Sequence, residues 1–129
     1  MEKILDANII IRYLVEDDNQ KAGAIEKLFR SNEALVVTDV TISEIIWVLL
    51  SYYKQKKQNI IRQLTSFIQL TNIKCNKTIL IRALEYYKNL NIDWVDAYLS
   101  SYAIENKITG VYSYDKGLSK IPEINRLEP

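Results

Sequence analysis

Asp6, Glu44, Asp93, Asp96 and Asp115 are the residues most able to do chemistry in this sequence, because histidine is absent and the single cysteine, Cys75, has no partner for a disulfide or a zinc cluster. Imidazole catalysis, Ser-His-Asp triads and histidine-ligated metals are thereby excluded, and any acid, base or ligand must be a carboxylate. Crowded carboxylates repel one another and raise each other's pKa values unless a cation lies between them. A hard divalent ion such as Mg²⁺ or Mn²⁺ suits an all-oxygen set. Each acid also has a plain structural reading. Asp6 and Asp93 could cap helices, Thr41-x-x-Glu44 has the capping-box pattern, and Asp115-Lys-Gly reads as a turn.

What favours chemistry is the order of the elements that would carry these acids. Short strands are expected at Lys3–Leu5, Ala34–Thr38, around Ile73, from Gly110 through Val111–Tyr114 and at Ile124–Leu127. Between them, apolar residues recur at three- and four-residue spacing over 8–15, 19–29, 41–53, 57–70, 77–90 and 94–106, the helical period. Strands separated by helices pair in parallel through right-handed crossovers. The expected fold is therefore α/β: a three-layer α/β/α sandwich around a small parallel sheet of four to five strands, formed by residues 1–129 as a single domain. In such sheets ligands sit beyond the carboxyl ends of the strands, where the crossover helices also begin. Asp6 follows the first strand, Glu44 is expected in the first turn of the third helix, Asp93 and Asp96 open the sixth, and Asp115 ends the fourth strand, so all five belong to one edge.

The chain has 129 residues, 48% of them hydrophobic and 26% charged, with only three glycines and two prolines, the profile of a folded domain. The glycines are too scattered for a nucleotide-cradling loop. Charges interrupt every apolar stretch before the roughly 18 residues of a membrane helix are reached, and no leader pattern opens the sequence, so a cytoplasmic protein without membrane contact is expected. The net charge of +1 conceals a block from Ile45 to Leu84 that holds seven basic residues and no acid. Lys54, Lys56 and Lys57, beside Tyr52 and Tyr53, are candidates for following a nucleic-acid backbone; a solvated helical face with one tyrosine in the core is the alternative. Trp47 and the tyrosine pairs 52–53 and 86–87 suit a homodimer interface, a groove for a partner helix or core packing equally well. Cys75 is expected to be a buried, inert thiol.

Ile4-Leu-Asp6-Ala-Asn8, Ser43-Glu44, Ile92-Asp93-Trp-Val-Asp96-Ala97 and Tyr112-Ser113-Tyr-Asp115 resemble, in order and spacing, the successive motifs of PIN-domain proteins, and in particular of VapC-type toxins. The resemblance covers essentially the whole chain. It implies a Mg²⁺- or Mn²⁺-dependent endoribonuclease that hydrolyses RNA phosphodiester bonds as the toxin of a type II toxin–antitoxin pair, dimeric and held inactive by a cognate antitoxin. By the same resemblance Asp6, Glu44, Asp96 and Asp115 form the acidic quartet, Asp6, Asp93, Asp96 and Asp115 approach the metal, and Asn8 and Ser113 support them. Asp39, five residues before Glu44, is a competing acid whose role is open. So is the choice between Asp93 and Asp96 as direct ligand, although Asp96-Ala97 fits the family's Asp-Ala pair better.

Two other readings fit less well. Asp6-Ala-Asn8 lacks the second acid of haloacid-dehalogenase phosphatases, and the acids are misplaced for a phosphoacceptor receiver domain. A non-catalytic PIN-like RNA-binding or scaffold module is the remaining alternative.

Overall fold

The computed structural model describes residues 1–15 and 19–129, the side chain of residue 19 excepted. Chain contacts group it into two compact units, Met1–Lys77 and Thr78–Pro129.

The first unit runs β1 (Lys3–Ile4), α1 (Ala7–Val15), α2 (Asn19–Phe29), β2 (Leu35–Val36), α3 (Asp39–Ser51), α4 (Lys57–Ile68) and β3 (Ile73–Lys74). Its three strands form one parallel sheet in chain order, with Lys3 opposite Leu35 and Leu35 opposite Ile73. Each helix is formed by the spacing expected of it. In α3 Ile42, Ile45, Ile46 and Leu49 are buried, and in α4 Ile60, Ile61, Leu64, Phe67 and Ile68, so both show an apolar stripe to the core; α4 is polar outside, whereas α3 also leaves Val40, Trp47 and Leu50 exposed. Helix α1 packs on α2 and α3. Tyr13 meets Phe29 edge to face at a ring separation of 4.9 Å, and Phe29 meets Phe67 in a tilted pair at 5.3 Å.

The second unit contains α5 (Lys77–Asn89), α6 (Trp94–Glu105), β4 (Gly110–Tyr112), a 3₁₀ helix (Lys116–Lys120) and β5 (Asn125–Leu127). β4 and β5 pair in parallel, Gly110 opposite Asn125 and Tyr112 opposite Leu127. Gly110 eases this approach: a Cβ there would lie 3.2 Å from Leu127 Cδ1, and the leucine would have to give by a few tenths of an ångström. Helix α6 presents mostly small residues inward (Ala97, Ser100, Ser101, Ala103), and the Ser101 hydroxyl donates to the Ile79 carbonyl of α5 at 2.6 Å. Tyr87 and Trp94 pack edge to face.

The α/β class with parallel strands is as expected, but the sheet is not a single one of four to five strands. The described ladders form a three-stranded sheet and a separate two-stranded one. Strands of two or three residues offer few ladder hydrogen bonds, so small departures in register end a sheet that apolar patterning alone would extend. No helix among the described residues is long and apolar enough to cross a membrane.

Candidate metal centre and adjoining cleft

The strongest grouping of acids lies in the second unit. Asp93 is the N-cap residue of α6, and Asp96 follows one turn later. Asp93 takes the extended backbone expected of a cap, yet its side chain makes no capping bond, so the plain reading is fulfilled by position and not by the carboxylate. Asp115 precedes the 3₁₀ helix and accepts the Gly117 N–H at 3.0 Å. Its own N–H donates to Ser113 Oγ at 2.9 Å, giving Ser113 its supporting contact. One carboxylate oxygen from each of Asp93, Asp96 and Asp115 falls within 4.8 Å of the others.

Asp96 differs from its neighbours by burial. It is 6% exposed, its Oδ2 has no hydrogen-bond partner, and Asp93 and Asp115 face solvent. Burial first, and then the adjoining Asp115 carboxylate, which a protonated Asp96 can donate to, push the Asp96 pKa up to about 7, with Asp93 adding repulsion. Asp115 moves down, because Asp96 hydrogen-bonds to its charged form, as does the Gly117 N–H, with Arg126 assisting. The pair therefore shares a proton when no cation is bound. A cradle surrounds it: a Cβ on Gly117 would lie 3.3 Å from both Asp115 Oδ1 and Asp96 Oδ2. A buried, unpartnered carboxylate oxygen among converging acids fits a hard divalent cation.

Asp6 and Glu44 lie in the first unit and share a cleft of about 370 Å³ there. Asp6 follows β1, and its Oδ1 accepts the Ala7 N–H at 2.7 Å. Glu44 is exposed in the second turn of α3, not the first. The reason is that α3 begins at Asp39, two residues before the expected start. Thr38 is its N-cap and accepts the Thr41 N–H at 3.2 Å. Thr41 is thus inside the helix, the expected capping box does not form, and Glu44 is released from a capping role. Asn8 lines the same cleft. Asp39 does not: its two carboxylate oxygens accept from Asn76 Nδ2 at 3.2 Å, which ties the start of α3 to the residue after β3.

Lys54 and Lys56 are exposed and Lys57, the first residue of α4, is half-buried. Neither Tyr52 nor Tyr53 is in the core, since Tyr52 is 75% exposed and Tyr53 half-buried. Trp47 is also exposed. Cys75 is half-buried, and burial raises its thiol pKa, which keeps it protonated and poorly nucleophilic as expected.

Sequence reasoning passed over two contributors, Gly117 and Arg12. Gly117 stands two residues after Asp115, the spacing of an Asx turn, and that signal was legible. Arg12 lies four residues after Asn8, on the same face of α1.

No curated protein matches the chain. The family described as the PIN domain matches it over residues 3–124. PIN domains are in general nucleases that use divalent metal ions. With all but the two ends of the sequence covered by that match, and the acids of two of its motifs gathered around a buried carboxylate, this chain belongs to the PIN-domain family.

Proposed function

We propose that the protein is a Mg²⁺- or Mn²⁺-dependent endoribonuclease, and that residues 1–129 work as one catalytic domain. The observation that carries this reading is Asp96: a buried carboxylate with an unpartnered oxygen, flanked by Asp93 and Asp115, in a PIN-domain chain. The family match runs through both compact units without a break, which supports treating them as one functional entity.

The divalent cation, when bound, lowers the pKa of water and neutralises charge on the phosphate undergoing in-line displacement. Asp96, Asp115 and Asp93 would hold it; by the family's motif order Asp6 belongs to the same acidic set. Asp96 must give up the proton it shares with Asp115 before it can serve as a ligand. Glu44, exposed and free of a capping bond to Thr41, is suited to orient the attacking water and accept its proton. Ser113 fixes the backbone of Asp115, and Asn8 offers an amide to substrate oxygens.

The biological setting follows the VapC-type resemblance of the motifs: a cytoplasmic toxin, homodimeric, silenced by a cognate antitoxin. Induced expression should arrest growth, and co-expression of the antitoxin should relieve it. The enzymatic reading is tested by incubating wild type and Asp96→Asn with mixed structured and single-stranded RNA in Mg²⁺, Mn²⁺ or EDTA. Cleavage that needs metal and is lost in the variant supports it. Wild type that binds neither metal nor RNA would falsify it, and RNA binding without cleavage under any metal would leave the non-catalytic module as the correct account.

A further inference from the structure

The first unit's cleft holds more than Asp6 and Glu44. Along α3, Glu44, Val48 and Tyr52 succeed one another at four-residue spacing and all line it. From α1, Asn8 and Arg12 line it too, also four residues apart. The lining thus combines acids, one guanidinium, an apolar strip and an aromatic end. At about 370 Å³ it falls in the usual range of small-ligand sites, roughly 300–1,000 Å³.

The aromatic end is held in a definite posture. The Tyr52 and Tyr53 rings meet edge to face, with centroids 4.9 Å apart and planes at 79°. Tyr53 is half-buried and Tyr52 is 75% exposed, so one ring props the other in solvent. Immediately beyond, Lys54 has φ of 55°, a left-handed conformation that a lysine adopts at a cost and that turns the chain out of α3. An exposed tyrosine whose face is free to stack, with a guanidinium across an open cleft, is the combination that takes an unstacked base together with its phosphate. A base paired and stacked in a duplex presents no open face to such a ring.

We infer that this cleft is a nucleotide subsite. It holds one unstacked nucleotide of a single-stranded substrate, the base on Tyr52 and a phosphate on Arg12, beside Asp6 and Glu44. The inference rests on the nuclease reading and adds to it two recognition residues. It makes Tyr52 and Arg12 recognition residues, not catalytic ones.

The test measures binding as well as turnover. A labelled single-stranded oligoribonucleotide and the same sequence as a duplex are titrated by fluorescence anisotropy in EDTA, and kcat and KM are measured in Mg²⁺. Tyr52→Ala should raise Kd and KM for the single strand roughly 5- to 160-fold, the worth of one base stack, with kcat little changed. Tyr52→Phe should retain wild-type values, since the ring and not the hydroxyl is used. Arg12→Gln should weaken binding and reduce the salt slope by about one phosphate contact. Duplex binding should be weak and indifferent to Tyr52→Ala. Because Tyr52 is exposed, its truncation leaves folding intact, which the thermal midpoint checks. Wild-type Kd and KM in Tyr52→Ala and Arg12→Gln, with cleavage preserved, would overturn the subsite and leave the nuclease standing. If the variants instead lose affinity only for a protein inhibitor of the enzyme, the cleft is a peptide site and the inference is wrong. A wild type that neither cuts nor binds RNA defeats the nuclease reading itself.

Discussion

Asp96 is 6% exposed whereas Asp93 and Asp115 face solvent, so neutralising it and neutralising them have different consequences. Its folded pKa of about 7 lies above the value of 3.8 for the unfolded chain. The metal-free folded state therefore keeps a proton that the unfolded state releases, and this contribution to stability is complete below about pH 4 and lost as pH rises through about 7. The slope is at most about 1.4 kcal/mol per pH unit for one proton. Urea unfolding in EDTA at a series of pH values should show that decline, and Asp96→Asn should flatten it and be the more stable protein above pH 7. A variant markedly less stable than wild type at pH 8 would contradict an uncompensated buried charge. Metal competes with the same proton, so Mg²⁺ affinity measured by calorimetry should climb with pH up to about 7 and level off beyond. Gly117 is a second residue with a distinct role. Its backbone is not left-handed, so alanine there is opposed chiefly by its nearest neighbours, the two carboxylates and Ile92 Cγ2 at 3.2 Å. Gly117→Ala should cost about 1 kcal/mol in stability and roughly tenfold in metal affinity.

Helix α3 shows what a helix start decides. Because Thr38 is the cap, Thr38→Ala should destabilise the protein by about 1 kcal/mol, whereas Glu44→Ala should leave stability nearly unchanged while affecting cleavage. Loss of stability in the second variant, measured by urea midpoint, would restore the capping box. The comparison also shows how much of the molecule was legible beforehand. The helical period located all six helices within about two residues, and α2 at Asn19–Phe29 agrees at both ends, because buried faces such as Ile42, Ile45, Ile46 and Leu49 write themselves into the sequence. The start of α3 was less legible: Thr38 and Thr41 are both good caps, and only the tertiary path chooses between them. Strand pairing was less legible still, since two-residue strands such as Leu35–Val36 carry no period. Of the candidate site, the gathering of Asp93, Asp96 and Asp115 followed from their places at element ends. The burial that sets Asp96 apart did not, because α6 is apolar almost all round and its pattern does not single out the inward face.

At the scale of the whole chain, charge is unevenly placed: net +1, with seven basic residues and no acid between Ile45 and Leu84. If Lys54, Lys56 and Lys57 follow the RNA backbone, replacing all three by alanine should lower the salt slope of single-strand binding by about two, near 0.7 per lost phosphate contact. An unchanged slope would remove this stretch from the interface. The pairing of β4 with β5 has a consequence of another kind. Asp115 rides on the segment between these strands, and Arg126 in β5 clasps it, donating to the Ser113 carbonyl at 2.9 Å and to Ser119 Oγ at 3.1 Å. The acid is thus fixed by closing a loop of chain, and closure entropy grows only slowly with loop length. Extra residues inserted at the exposed Pro122–Glu123 tip should be tolerated with metal binding intact. Removal of residues 125–129 opens the loop altogether, and Asp115 should then lose its fixed position, with metal affinity, while the three-stranded sheet keeps its slow amide exchange.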